Sequence, residues 1–161
     1  MDTVRKLRVY LDTTIPNFLF AEDRPDWMEI TWRFWERCEA GEFDLYVSEV
    51  FYKELELCPE PKLSNMIEKL IAVKIRRLAE SDEVKELAAE YIRSGALTKK
   101  SINDCLHIAY AVVNDCDIIL SWNFDQTREW TKGKVKEANA TNRYKGIGIL
   151  SPEYFLKGGC Q

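Results

Sequence analysis

Five oxygen-bearing side chains lie at or near the ends of the strands and helices this sequence implies: Asp12, Glu54, Asp104, Asn123 and Asp125. Carboxylates gathered around one crevice cannot all stay ionised without a cation among them. Oxygen-only ligands select hard divalent ions, Mg2+ or Mn2+. Such an ion would act as electrophile and water activator in phosphodiester hydrolysis. Thr13 and Ser121 add hydroxyls that would orient the carboxylates or a phosphate.

Each of these residues also has a plainer reading. Asp12 and Asp104 stand where a carboxylate caps a helix and answers its dipole. Glu54 fits a solvated helix glutamate, the usual state of that side chain. His107, the one histidine, follows Asp104 by one turn on the same helix side. For it a hydrogen-bonded core histidine is preferred over a general base. No Ser/His/Asp or Cys/His set, Walker loop or G-x-G-x-x-G is present, and Asp12-Thr13-Thr14 lacks the D-x-D of a phosphatase nucleophile.

The elements that must position these groups follow from periodicity. Leu7 to Asp12 reads as a strand with Val9 and Leu11 on one face, and Pro16 fits the first turn of a short helix after it. Trp27, Ile30, Phe34 and Cys38 recur at helical spacing from Asp26 to Cys38. Trp32 and Trp35 fall partly off that stripe; most of this aromatic content is packing, but an exposed face would suit a protein partner. Phe43 to Val47 is a second strand, and Ser48 caps a helix from Glu49 to Leu57. Lys62 to Ala72 is another helix, and Val73 to Leu78 an edge strand whose basic residues suit an edge. Ser81 caps a helix to about Ser94, closed by Gly95.

Ser101 with Asp104 forms a capping pattern that opens an apolar helix to Val113, buried on most sides. Ile118 to Ser121 is the most apolar strand, hence central in a parallel sheet. The polar span 127–145, partly helical, carries six basic against two acidic side chains, a solvated face or one that meets phosphates. Ile147 to Leu150 is the last strand. This alternation predicts an α/β fold with a parallel sheet, as one domain over residues 1–161. In such sheets ligands gather at strand C-termini, where Asp12, Ser121 and Asn123 fall.

Composition narrows the classes. The 161 residues carry a net charge of −4, with a pI near 5.2, which argues against non-specific coating of nucleic acid. It leaves open an enzyme acting on nucleic acid, because bound cations offset clustered acids. No apolar run approaches the ~20 residues of a membrane span. Met1 leads directly into a strand without a signal-peptide core, so a cytoplasmic protein with no membrane contact is expected. Cys38, Cys58, Cys105, Cys116 and Cys160 lack C-x-x-C spacing and read as free thiols.

Five blocks together resemble a known family: Tyr-Leu-Asp-Thr-Thr (10–14), Ser-Glu-Val-Phe-Tyr-Lys-Glu-Leu (48–55), Asn-Asp-Cys-Leu-His-Ile-Ala-Tyr-Ala (103–111), Leu-Ser-Trp-Asn-Phe-Asp (120–125) and Ile-Leu-Ser-Pro-Glu (149–153). They look like the PIN domain, and more narrowly the VapC-like toxin ribonucleases of toxin–antitoxin pairs. The resemblance implies a three-layer α/β/α fold with a five-stranded parallel sheet. It also implies a Mg2+- or Mn2+-dependent endonuclease of single-stranded RNA, often a homodimer and blocked by a small antitoxin protein. It places the first acid at Asp12, the second at Glu54 and the third at Asp104. The usual fourth acid falls on Asn123, and the acid often found two positions later on Asp125. An amide at 123 brings no charge, so the alternative is a catalytically weak or inactive PIN-like module that binds RNA or protein.

Overall fold

The computed structural model describes residues 5–98, 101–124 and 129–158. The first half of the chain runs β1 (Leu7–Leu11), α1 (Thr14–Phe18), α2 (Pro25–Glu39), β2 (Phe43–Ser48), α3 (Glu49–Leu55), α4 (Lys62–Ile71) and β3 (Ile75–Leu78). The second half runs α5 (Asp82–Arg93), α6 (Ile102–Val113), β4 (Ile118–Leu120), a 3-10 turn at Trp122–Phe124, α7 (Glu129–Thr141), β5 (Gly148–Leu150) and α8 (Pro152–Leu156).

The five strands form one parallel sheet in the order β3-β2-β1-β4-β5. The chain winds outward from β1 through β2 to β3, then returns to the other side of β1 for β4 and β5. The winding therefore reverses between β1 and β4, and a crevice opens there at the strand C-termini. Ile118–Leu120 is interior, paired on both sides, but the middle position belongs to β1. β3 is the edge strand that its basic residues suggested.

Strand alternation sorts the core into two layers. Val9, Leu11, Leu45, Val47, Ile118 and Leu120 face Phe34, Trp35, Met66, Leu70 and Phe155. Tyr10, Tyr46, Ile119 and Ile149 face the other way, toward Val84, Leu87, Ile108, Val112 and Ala138. A fully buried aromatic or aliphatic side chain of this kind stabilises the fold by about 1.5–3 kcal/mol. At the start of β5 a Cβ on Gly148 would lie 2.9 Å from Ile118 Cγ2, so a side chain there would have to displace Ile118.

Two local expectations are corrected. Ser101 makes no side-chain cap on α6, and Ser48 makes none on α3, whereas Ser81 does cap α5 by accepting from the Val84 N–H. The tryptophans of α2 are packing, as expected. Trp35 is fully buried, the Trp32 indole N–H donates to the Leu19 carbonyl, and Trp27 stacks on Trp122 at 4.3 Å. Cys38, Cys58, Cys105 and Cys116 are free thiols, as expected; Cys160 lies outside the described residues. Among the described residues no helix is long and apolar enough to cross a membrane.

Candidate functional site

Asp12 ends β1 at the reversal point and is 1 % exposed. Its backbone N–H donates to the Leu120 carbonyl at 3.3 Å, which fixes it beside the end of β4. One carboxylate oxygen accepts from the Thr14 N–H at 3.0 Å and the Thr14 hydroxyl at 2.5 Å. The other accepts from the Ser121 hydroxyl. Thr14 also takes the Trp122 N–H at 2.9 Å, so α1 and the turn after β4 are tied through the groups that hold Asp12. Burial pushes the Asp12 carboxyl above its usual range, although His107, Ser121 and Thr14 pull the other way.

Glu54 comes from the last turn of α3 and is not a solvated surface glutamate. Its side chain is 26 % exposed, with Oε1 2.5 Å from His107 Nε2. Thr13 Oγ1 donates to the same oxygen at 3.3 Å, and Asn103 Nδ2 to the other at 3.2 Å. Burial raises the Glu54 carboxyl, but the His107, Thr13 and Asn103 hydrogen bonds outweigh it and leave it below the usual value. Asp104, in the first turn of α6, is raised by burial and by the charge of Glu54, against the pull of His107 and Asn123.

His107 touches Glu54 directly and lies within electrostatic reach of Asp12 and Asp104. Among the described residues none of the three has a lysine or arginine ion pair. Asn123 stands at the rim, exposed, its backbone N–H on Ser121 Oγ at 3.0 Å. Asp125 lies outside the described residues.

His107 is the hydrogen-bonded core histidine expected from its setting, at 1 % exposure. Two residues around it, Tyr10 and Asn103, were not singled out from sequence. Tyr10 puts its hydroxyl 2.6 Å from His107 Nδ1 and 2.6 Å from Ser48 Oγ, and Asn103 reaches Glu54. The signal for Tyr10 was available: it alternates with Val9 and Leu11, so it faces the α6 side of the sheet. Ser48 read as a helix cap because its position suits one; its hydroxyl is instead used by Tyr10. Thr14, beside the singled-out Thr13, proves to be the threonine that grips Asp12.

The chain compares with known proteins as follows. None of the curated proteins compared matches it. Among solved structures it is similar to a chain of VapBC2 from Rickettsia felis, crystallised bound to a DNA fragment from their promoter. That match has a TM-score of 0.56 at 13% identity, and covers 89% of this chain and 97% of that one. The likeness is one of fold. A family model, that of the PIN domain, matches residues 9–128, a span that contains Asp12, Glu54, Asp104 and Asn123. By that match this chain belongs to the PIN domain family.

Proposed function

We propose that this chain is a metal-dependent endoribonuclease of single-stranded RNA, and the toxin of a toxin–antitoxin pair. PIN domains are generally nucleases that use divalent metals. The observation that carries the reading here is that Glu54 meets His107 at 2.5 Å, that Asp12 and Asp104 lie within electrostatic reach of the same ring, and that none of the three has a lysine or arginine partner among the described residues. Buried carboxylates left in that state call for an external cation.

The donor set fits a hard divalent ion, Mg2+ or Mn2+, because every available ligand is oxygen. No three acids, histidines or cysteines among the described residues close up as a ready metal cage. Protein donors reach the oxygens of Asp12 and Glu54. Asp12, Glu54 and Asp104 would hold the ion, with Asn123 adding a neutral amide oxygen and Asp125 a further carboxylate. A bound ion of this kind supplies a Lewis acid for a phosphoryl oxygen and lowers the pKa of water. The chain's own part is orientation: Ser121 and Thr14 fix Asp12, while His107, Thr13 and Asn103 fix Glu54.

The fold likeness to a VapBC2 chain supports a small antitoxin protein as partner, and homodimerisation and a cytoplasmic setting belong to the same reading. The test is cleavage of a single-stranded RNA panel with Mn2+, wild type against Asp104→Asn. Loss in the variant is expected; equal cleavage would remove the catalytic reading. A second reading, a PIN-like module of weak or no catalysis, is favoured by the amide at Asn123. Calorimetry separates them, because an inactive module would show no saturable, EDTA-reversible Mn2+ binding.

A further inference from the structure

His107 has both ring nitrogens engaged in the dry layer between α6 and β1. Nε2 meets Glu54 Oε1 at 2.5 Å and Nδ1 meets the Tyr10 hydroxyl at 2.6 Å. The Tyr10 hydroxyl in turn meets Ser48 Oγ at 2.6 Å, and the Tyr10 ring packs against the imidazole with centroids 5.5 Å apart. Ser48 and Tyr10 are themselves 0 % exposed, so nothing behind the ring can move without opening the core. A carboxylate only accepts, so the Nε2 proton lies on the Glu54 side. Nδ1, the Tyr10 hydroxyl and the Ser48 hydroxyl continue the row behind it. The row runs from the sheet interior out to the crevice.

We propose that His107 is a positioning residue that holds the Glu54 carboxylate in the crevice, braced from behind by Tyr10 and Ser48. Glu54 needs such a brace. It stands in the last turn of the short helix α3, ahead of the break at Leu57 and Cys58, with three side-chain torsions that would otherwise sweep the half-open rim. Thr13 and Asn103 reach it only at 3.3 and 3.2 Å, and Asn103 is itself exposed. His107 is the short, buried contact of the three. An outer residue that orients a metal-binding group in this way shapes affinity without touching the ion. The inference rests on Glu54 being a ligand, and its test is built to separate the two ideas.

Two replacements of similar size split the ring's two contacts. His107→Gln keeps an amide N–H near the Nε2 position, facing Glu54; His107→Asn reaches only the Nδ1 position, facing Tyr10. Calorimetric Mn2+ binding is expected within ~3-fold of wild type for His107→Gln and ~10–100-fold weaker for His107→Asn. Equal affinity in both variants would overturn the positioning role while leaving the metal site intact. A wild type that binds no Mn2+ would instead defeat the metal reading of Glu54. The brace is then judged on thermal stability in EDTA, through a double-mutant cycle of His107→Asn and Glu54→Ala. Non-additive losses are expected, and additive losses would overturn the contact itself.

Discussion

Asp12 and Asp117 sit at opposite ends of the same sheet, and the fold treats them in opposite ways. Asp117 precedes β4 at the N-terminal edge. It takes two bonds from the Arg5 guanidinium at 2.7 and 2.9 Å, the Arg8 N–H at 2.8 Å and Lys145 Nζ at 3.3 Å. Arg5, the Arg8 N–H and Lys145 hold its carboxyl down to about 2, against the opposing effect of burial. Asp12, at the C-terminal edge, receives only neutral donors from Thr14 and Ser121, and burial pushes it up. One carboxylate is complete within the chain. The other is oriented but not neutralised, which is how a group looks when its counter-charge comes from outside.

The largest effects should fall at the incomplete end. Asp12→Asn keeps shape and removes charge, so Mn2+-dependent RNA cleavage should drop at least ~100-fold, beyond the loss typical of an outer partner. Its metal-free melting temperature at neutral pH should equal or exceed that of wild type, because a buried charge lacking a cationic partner opposes folding. A clear fall in melting temperature would mean that Asp12 is structural and would break the contrast. Asp117→Asn should do the reverse. Cleavage should be unchanged, while urea unfolding should show a loss of about 1–2 kcal/mol, the scale of hydrogen bonds to a charged group that is partly solvated.

The same carboxyl gives a pH signature. A group whose pKa is depressed by folding adds stability above its unfolded pKa, about 4, and loses it as pH falls toward the folded value, about 2. The stability gap between wild type and Asp117→Asn should therefore be constant above pH ~5 and shrink between pH ~4 and ~2. A gap that persists to the bottom of that window would assign the loss to packing and not to charge.

Sequence patterns carried the sheet and its helices because burial follows period. Val9, Leu11, Leu45 and Val47 alternate as the layers require, and the helix over Val84, Leu87, Ala88 and Tyr91 shows its buried stripe. They carried Asp12 and Ser121 for the same reason, since both follow apolar strands. Hydroxyl partners were less legible. A serine before a helix looks like a cap whether it bonds an N–H, as Ser81 does, or a tyrosine across the sheet, as Ser48 does. That choice depends on what stands opposite in space, and nothing local to Ser48 encodes Tyr10. Glu54 was ambiguous likewise, because its half-burial comes from α6 packing beside α3, a contact between residues 53 apart in sequence.

The basic surplus of α7 and the loop after it divides between an ion pair and a cleft. Lys145 is committed to Asp117 at 3.3 Å. Lys132 and Lys136 line a cleft of about 470 Å3 between α7 and β5, with Gly146 and Gly148 on its far wall. The cleft lies at the start of β5, where the Gly148 N–H donates to the Asp117 carbonyl at 3.0 Å, and so opens at the end of the sheet away from Asp12. If RNA bound at the acid-lined end also runs along α7, its phosphates should meet these two lysines, whereas Lys145 is held by Asp117. Lys136→Glu should weaken single-stranded RNA binding a few-fold and reduce the slope of log affinity against log salt by about 1. Lys145→Glu should leave that slope alone and lower the melting temperature slightly, as exposed ion pairs do. Equal slopes for the two variants would mean that the charge of α7 acts only as a solvated face, and that the contrast between the sheet ends stops at the carboxylates.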